Sequence, residues 1–258
     1  MDNGNNFVQI IDVTSDNVAD AGFYCIKDKK AAGYHAKLEW FQSQINAGLK
    51  IKIALNSDGK QVGFIEYVSS ELAWRPIRAT NFLIIQCIAV IAKDSRDKGI
   101  GTSLIKQCEI DARAEGKSGI CAFSSNGPWI ANKSLFEKNN FVIEDRLDRF
   151  ELMVKYFNNN CDKPKIIDWT AEQKNYTGWH LIYSNQCPWH TKSVTDLTHS
   201  AINNNIVLNI TKLISPEEAQ NAPTGFGTFA LIKDGKLLAD HYISKTRFEN
   251  ILRNEIKE

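Results

Sequence analysis

An almost unbroken apolar segment, ATNFLIIQCIAVIA at 79–92, constrains the fold of this chain most strongly. Its length and β-branched content predict a central strand buried on both faces, which requires covering layers on each side of a sheet. Directly after it comes KDSRDKGIGTSLIKQCEI, where Gly99 and Gly101 precede a helical pattern that ends near Gly116. A buried strand, a glycine-rich turn and a helix in this order predict an α/β architecture.

The segments before the central strand predict strand, helix, helix and hairpin. FVQIIDVT alternates like a strand and leads to a helix for which Thr14, Ser15 or Asp16 is the expected cap. YHAKLEWFQSQINAG predicts a second helix that ends on Gly48, with an inner face formed by Tyr34, Leu38, Phe41 and Ile45. Asn56-Ser57-Asp58-Gly59 then separates two alternating runs and predicts a hairpin.

The segments after the glycines complete one unit and begin another. On the helix, Leu104, Ile105, Cys108 and Ala112 form the expected inner face. GICAFS predicts a strand, PWIANKSLFEKN a helix with Pro128 in its first turn, and FVIEDRLDRFELMVKYF a pair of strands. We place the first domain at 1–157, a polar linker at 158–176 and a second domain at 177–258. The second domain reads βαβ and then ββα, with a hairpin at Lys233–Lys236, which is the order of a small thioredoxin-like fold.

Composition narrows the class of protein. With 43% hydrophobic residues, 24% charged residues and a net charge of +1, the chain reads as a globular protein with no broad attraction to nucleic acid or membranes. No signal peptide and no apolar run near the length of a bilayer span is present. From the lack of both we expect a cytoplasmic protein. The six cysteines lack the paired spacings of zinc or disulfide sites, so we expect mostly reduced thiols and no metal.

The glycine-rich loop has the physical properties of an anion site. Glycine allows positive φ and close approach, and the N-terminus of a helix carries partial positive charge, so phosphate is the natural guest. The spacing Gly99-Ile100-Gly101-Thr102-Ser103 does not match a P-loop or a dinucleotide fingerprint. Taken alone, the two glycines are better explained by a simple turn.

The context of this loop resembles the core motif of the GCN5-related N-acetyltransferase (GNAT) superfamily. In that family an R/Q-x-x-G-x-G/A loop binds the pyrophosphate of acetyl-CoA, and Arg96, Gly99 and Gly101 stand at the matching positions. The resemblance implies a GNAT-type mixed twisted sheet flanked by helices over the whole first domain. It implies the following cofactor-binding residues: Ile88, Ala89, Val90, Arg96, Asp97, Lys98, Gly99, Ile100, Gly101, Thr102, Ser103 and Phe136. Arg96 and Lys98 have an alternative interpretation as solvated loop charges.

The resemblance also implies roles near the thioester. The main chain at Cys87 offers contacts to the acetyl carbonyl, and Glu66 lies near where relatives place the acid that deprotonates the amine. Glu66 is equally consistent with a solvent-facing carboxylate on a strand. Phe136 replaces the tyrosine with which many relatives protonate the thiolate, and Asn140 replaces a usual glycine. The thiolate therefore either leaves unassisted or takes a proton from water, Ser134 or Tyr156.

Two further segments carry candidate substrate-binding residues. Trp74 and Arg75 in ELAWRPI either form an acceptor wall that binds a carboxylate or only pack the hairpin. Cys187 stands at a helix start in CPWH, with Pro188 in the first helical position, where a dipole lowers a thiol pKa. The region 177–258 resembles the YoaP-like domain that accompanies some bacterial acetyltransferases, and Pro223 stands near the cis-proline position of thioredoxin-like folds.

We therefore expect an acetyl-CoA-dependent N-acetyltransferase that acts on a small amine or amino-acid-like acceptor by direct transfer. Two alternatives remain open: an acyl-CoA-binding regulatory module without catalysis, and a thiol-binding or redox protein that uses Cys187. His190 is either a partner of that thiol or a surface residue. A monomer or a homodimer is expected.

Overall fold

The structure is a computed structural model that describes residues 8–91, 98–158 and 160–255. Its contacts divide into two compact units. The first comprises the described residues of Met1–Lys27, Gln42–Ala73 and Ile77–Ile166, and the second those of Asp28–Phe41, Trp74–Pro76 and Ile167–Glu258. The second unit therefore includes two segments that precede the central strand in the sequence. The domain boundaries at 157 and 177 stay a prediction.

The first unit is built on a seven-stranded mixed sheet. Its strands are β1 (Gln9–Val13), β2 (Lys50–Leu55), β3 (Gln61–Ser69), β5 (Phe82–Ala89), β6 (Gly119–Ser124), β7 (Val142–Leu147) and β8 (Phe150–Tyr156). Their order is β1-β2-β3-β5-β6-β8-β7, and within the described part of this sheet only the β5–β6 pair is parallel. The unit also contains α1 (Val18–Ala21), α3 (Ile100–Ala114), α4 (Lys133–Glu137) and a small ladder of β4 (Ile77–Arg78) with β9 (Lys165–Ile166). The predicted mixed sheet flanked by helices is confirmed.

Helix α3 covers one face of this sheet. Its buried residues are the four predicted, Leu104, Ile105, Cys108 and Ala112, together with Ile100. They pack against Ile65 and Tyr67 of β3, Leu83 and Ile85 of β5, and the start of β6. The Tyr67 hydroxyl donates to Asp111 Oδ2 at 2.7 Å, and Lys50 Nζ lies 3.1 Å from the same oxygen. This helix is therefore held to the sheet by both apolar and polar contacts.

The second unit has a four-stranded sheet of order β11-β10-β12-β13. Its strands are β10 (Trp179–Tyr183), β11 (Leu208–Lys212), β12 (Phe229–Lys233) and β13 (Lys236–Ala239). Its helices are α5 (Thr170–Gln173), α6 (Trp189–Asn203), α7 (Pro216–Gln220) and α8 (Lys245–Glu255). The part of α2 (Ala32–Ile45) up to Phe41 also belongs to this unit. β10 pairs in parallel with β11 and antiparallel with β12. The predicted order, βαβ followed by ββα, is confirmed.

Several local predictions are confirmed and three are corrected. Both hairpins form at the predicted turns, and Asp234 and Gly235 have the positive φ values of 47° and 79° that a tight turn needs. Asn17 rather than Thr14, Ser15 or Asp16 caps α1. On α2 the buried face includes Lys37 and Trp40, whereas Leu38 and Ile45 are half-buried.

The third correction concerns the helix predicted for PWIANKSLFEKN. α4 begins at Lys133, because Asn132 is extended and its side chain accepts a hydrogen bond from the Ser134 N–H at 3.0 Å. Trp129 has a left-handed φ of 66°, which excludes a right-handed helix at that residue. Pro128 therefore lies in a turn rather than in the first turn of the helix.

A search of the described helices finds none that combines the length and the apolarity of a membrane span.

Candidate active site

The ladder between the parallel strands β5 and β6 stops before either strand ends. Their ladder begins at Phe82 opposite Gly119 and stops at Ile85 opposite Ala122, although β5 continues to Ala89 and β6 to Ser124. β6 stays paired with β8 to its end, at Ser124 opposite Glu151. The sheet is therefore opened along one seam, and the last residues of β5 line it.

A β-bulge lies at the start of this opening. β3 and β5 pair Tyr67 with Ile85 and Glu66 with Cys87, so Gln86 is the extra residue. Bulges re-aim the side chains that follow them. Because Ile65 and Tyr67 face α3, Glu66 faces the opposite side of the sheet, as does its partner Cys87.

Glu66 is 1% exposed, although its sequence is equally consistent with a solvent-facing carboxylate. Phe64 lies on the same face and packs against Tyr24, with ring centroids 5.7 Å apart. Cys87 is half-buried. The structure therefore brings two predicted catalytic residues, Glu66 and Cys87, side by side on the face away from α3.

The glycine-rich loop leads directly into α3. Gly99 caps the helix with φ 75° and ψ 3°, and its carbonyl accepts from the Ser103 N–H at 2.9 Å. A left-handed residue at this position favours glycine, and no atom of the described residues lies within 4 Å of a Cβ built there. Gly101 serves packing instead, since a Cβ there would lie 3.0 Å from Leu135 Cδ1.

The remaining predicted cofactor-binding residues differ in where they lie. Arg96 and Asp97 lie outside the described residues. Lys98 is exposed beside the cap, and the Thr102 hydroxyl accepts a hydrogen bond from Asn139 Nδ2 at 3.3 Å. Ile88, Ala89 and Val90 are half-buried at the end of β5.

Tyr24 holds the chain where it leaves β5, and sequence reasoning missed it. Its hydroxyl donates to the Val62 carbonyl at 3.0 Å and accepts from the Ile91 N–H at 2.9 Å. Because FYCIKD carries no motif, only the tertiary contact shows this role.

The proposed proton donors lie in different surroundings. Ser134 is exposed near the start of α4. Phe136 is buried in the core, 5.5 Å from the ring of Phe141. Tyr156 pairs with Gly119 at the far end of β6 from the opening, so this alternative is wrong. Its hydroxyl donates to Glu144 Oε2 at 2.8 Å, and burial followed by that hydrogen bond raises the pKa of Tyr156.

Trp74 and Arg75 belong to the second unit. Trp74 is buried and packs edge-on against Trp40 at 5.5 Å, and Arg75 is buried with its guanidinium 5.0 Å from the ring of Phe226. Their burial is consistent with the alternative in which both residues only pack, and their role as an acceptor wall stays a proposal.

Cys187 lies just before α6 and is half-buried. Pro188 is the cap of this helix rather than its first residue. His190 is buried, so the interpretation of it as a surface residue is wrong. Its Nδ1 lies 3.0 Å from the Ser184 carbonyl, and burial lowers its pKa to about 4. Pro223 follows a trans peptide bond, as do the other described residues, so the cis-proline expectation is not met.

The ladder between β5 and β6 opens beside the glycine-capped helix α3, and the elements follow the predicted order, which is the arrangement that the resemblance to GNAT proteins implies. A second α/β unit accompanies it. A family model described as YoaP-like matches residues 208–250. The chain is 29% identical over 248 residues to an uncharacterized N-acetyltransferase named YoaP from Bacillus subtilis (strain 168), covering 94% of this chain and 97% of that protein. The predicted resemblance to GNAT proteins with a YoaP-like second part is confirmed.

Solved structures include similar chains. An acetyltransferase of the GNAT family from Staphylococcus aureus Mu50 is 15% identical with a TM-score of 0.44, covering 59% of this chain and 100% of its own. PaiA N-acetyltransferase from Thermoplasma acidophilum, in complex with coenzyme A, is 17% identical with a TM-score of 0.43, covering 58% of this chain and 99% of its own.

Proposed function

We propose that this protein is an N-acetyltransferase that transfers the acetyl group of acetyl-CoA directly to a small amine or amino-acid-like acceptor. The observation that carries the proposal is the seam between β5 and β6, which opens toward the glycine-capped N-terminus of α3. The name of the Bacillus subtilis relative, an N-acetyltransferase, supports it.

The described residues fit the coenzyme. The first turn of α3 contains no acidic residue, and none of the described residues fills the space next to Gly99, so we propose that an anion approaches the N–H groups of this turn. The main chain of Lys98, Gly99, Ile100, Thr102 and Ser103 would hold the pyrophosphate, to which Arg96 and Asp97 are proposed to add contacts.

The end of β5 would hold the pantetheine arm. The main chain of Ile88, Ala89 and Val90 follows the point where the β6 ladder stops, so its polar groups face the seam. Buried backbone groups need hydrogen-bond partners, and an extended amide-containing chain supplies them. Acetyl-CoA supplies the acetyl group as a thioester.

Glu66 is the proposed base. Its carboxylate lies opposite Cys87 on the face away from α3, and it would accept the proton of the incoming ammonium group, directly or through water. The main-chain N–H of Cys87 would donate to the carbonyl oxygen of the acetyl group, where negative charge develops on attack.

Ser134 is the proposed proton donor for the departing thiol, because Phe136 has no hydroxyl and Tyr156 lies at the other end of β6. Phe136 would then only pack beside the arm from the core of α4. Trp74, Arg75 and Cys187 stay proposed acceptor contacts.

All six cysteines are free, which supports a cytoplasmic location. We propose a monomer or a homodimer.

The test combines binding with turnover. Calorimetric titration with acetyl-CoA measures binding. Turnover is measured as the release of free CoA thiol in the presence of a panel of amines and amino acids, with matched hydroxy acids as the control acceptors. We expect acetyl-CoA to bind and an amine, but no hydroxy acid, to be turned over. Absence of acetyl-CoA binding would reject the proposal.

A second candidate is an acyl-CoA-binding regulatory module, which the buried phenyl ring at position 136 favours because no tyrosine hydroxyl is available there. Binding of acetyl-CoA without acetylation of any amine in the panel would support this candidate instead.

A further inference from the structure

The ladder between β3 and β5 stops before the whole of β3 is paired. Its last pair is Phe64 opposite Ala89, where β5 ends, whereas β3 extends past Phe64 as far as Gln61. The same register, continued by two residues, would place Val62 opposite Ile91. The main-chain groups of these two residues are therefore the next that the ladder would join.

The hydroxyl of Tyr24 takes the place of this ladder bond. It accepts from the Ile91 N–H at 2.9 Å and donates to the Val62 carbonyl at 3.0 Å. In a hydrogen-bonded pair of an antiparallel ladder, these two groups would bond to each other directly. An interposed hydroxyl satisfies both groups and keeps them farther apart than a direct bond would. The chain at the end of β5 is therefore tied to β3 and also held away from it by one side chain.

The position of this hydroxyl is fixed by the surroundings of its ring. Tyr24 is buried, and its ring packs against that of Phe64. The segment before it is tied to the start of β3, because Gln61 Nε2 donates to the Ala21 carbonyl at 2.5 Å. All of these residues belong to the first unit. The ring and its segment thus hold the hydroxyl between the two strands.

Gly63 brings the start of α3 to the same place. A Cβ built on Gly63 would lie 3.1 Å from the Ala89 carbonyl oxygen and 3.2 Å from Ile100 Cγ2. Ile100 is the first residue of α3. Glycine permits this close approach because it has no side chain. The end of β5 and the N-terminus of α3 are therefore both placed against one short stretch of β3, 62–64.

These contacts bear on the coenzyme. The proposed contacts to the pantetheine arm come from the main chain of 88–90, directly before Ile91, and those to the pyrophosphate come from the first turn of α3. Without the Tyr24 hydroxyl, the Ile91 N–H and the Val62 carbonyl either bond to each other or lose their partner. The first outcome draws the strand end onto β3, and the second loosens it. Either change disturbs the main chain proposed to hold the arm.

We propose that Tyr24 is a positioning residue for acetyl-CoA. Its hydroxyl sets the separation from β3 at which the main chain of 88–90 receives the pantetheine arm, and it acts through Ile91 rather than by touching the coenzyme. This inference rests on the proposed function. Glu66 and Cys87 are held by their own pairing in the ladder, so Tyr24 determines the affinity for the coenzyme and not the rate of acetyl transfer.

The first test compares Tyr24→Phe with the native chain. Calorimetric titration is expected to show about tenfold weaker binding of coenzyme A, a factor typical of coupling between two sites. With the amine of the panel that is turned over fastest, the KM for acetyl-CoA is expected to rise by a similar factor, while kcat stays within about threefold.

Tyr156→Phe is the matched control for coenzyme binding. It also removes a hydroxyl hydrogen bond from the same sheet, the one to Glu144 Oε2 at 2.8 Å, but at the far end of β6 from the opening. Its affinity for coenzyme A is expected to equal that of the native chain. Equal affinities of the native chain and a folded Tyr24→Phe variant overturn the proposal, as does an equal loss of affinity in both variants.

A second measurement uses the native chain alone. Coupling is reciprocal, so a hydrogen-bonded bridge that favours coenzyme binding is itself stabilised by bound coenzyme. Saturation with coenzyme A is expected to slow hydrogen exchange at the Ile91 amide about tenfold, measured by NMR. The reference is the Phe157 amide, which donates to the Ser118 carbonyl at 2.8 Å and is expected to be unaffected.

Unchanged exchange at Ile91 overturns the proposal even if Tyr24→Phe does not fold. A native chain that binds no coenzyme A is a different result, seen before any variant is made. It rejects the proposed function, and this inference with it.

Discussion

Glu66 on β3 and Cys87 on β5 are direct partners across an antiparallel ladder, next to the bulge at which the sheet begins to open. The pairing fixes the carboxylate of Glu66 beside the main chain proposed to contact the acetyl group. The register therefore ties the proposed base to the proposed oxyanion contact without a loop between them.

Glu66→Gln is expected to lower kcat/KM for the amine by about 100-fold near neutral pH, where the acceptor is protonated. The loss is expected to shrink as the pH rises, because the free amine then needs no base. Steady-state kinetics from pH 6.5 to 9.5 measure both effects. Asp58→Asn, at the opposite end of the same strand pair, is the matched control and leaves the profile unchanged. A uniform loss at all pH values would contradict a role as base.

Gly99→Ala is expected to weaken coenzyme A binding by at least about tenfold, because its methyl group enters the space next to the first turn of α3. Gly116→Ala is a matched control at the other end of α3, since Gly116 also has a positive φ, of 64°, and no atom within 4 Å of a built Cβ. Both changes cost about 1 kcal/mol in the free energy of unfolding. Calorimetric titration measures the affinity of each variant for coenzyme A. Equal affinities of the two variants would contradict the proposed role of the loop.

Cys87→Ala is expected to retain kcat within about threefold, because the proposed contact at this position comes from the main chain. Intact-mass measurement during turnover is expected to show no acetylated enzyme. An acetyl adduct on Cys87, or loss of turnover in a folded variant, would replace direct transfer by a covalent route.

Ser134→Ala is expected to lower kcat by at least about tenfold if the hydroxyl protonates the thiolate. Stability is expected to be unchanged, because the main-chain N–H of Ser134, not its hydroxyl, bonds to Asn132. Asn132→Ala is the contrasting variant, with a loss of about 1 kcal/mol in the free energy of unfolding. Unchanged kcat in Ser134→Ala would leave the thiolate to depart without a protein donor.

Acidification is expected to destabilise the protein through His190. Its pKa falls from 6.5 to about 4 on folding because burial disfavours the charged ring. The unfolded chain therefore binds a proton first, and the free energy of unfolding falls by about 3 kcal/mol between pH 6.5 and 4. Denaturant titrations at several pH values measure the slope. His190→Asn is expected to flatten it, whereas the same change at exposed His199 leaves it intact.

Local chemistry made much of the fold predictable. The Asp58-Gly59 and Asp234-Gly235 turns place the hairpins, and the apolar run of β5 with Gly99 behind it places the loop and α3. These signals act within a few residues, so tertiary context does not override them.

The rest depends on distant contacts. Lys37 sits on the buried face of α2 because Trp40 covers its head group, which a pattern of apolar residues cannot show. Trp74 and Arg75 are buried by a loop some 150 positions further along, at Gly227. The segment PWIAN forms no helix, because Trp129 has a left-handed φ and the cap at Asn132 makes α4 begin only at Lys133. In each case a residue from elsewhere in the chain or a particular backbone angle decides the outcome.

The seam between β5 and β6 has a consequence for how such proteins diverge. It is lined by main-chain groups of Ile88 and Ala89, whose positions follow from the ladder with β3 and not from their own side chains. Amino-acid replacement alters side chains but leaves peptide groups in place. Lineages can therefore exchange side chains around the seam while inheriting the proposed coenzyme-binding main chain intact.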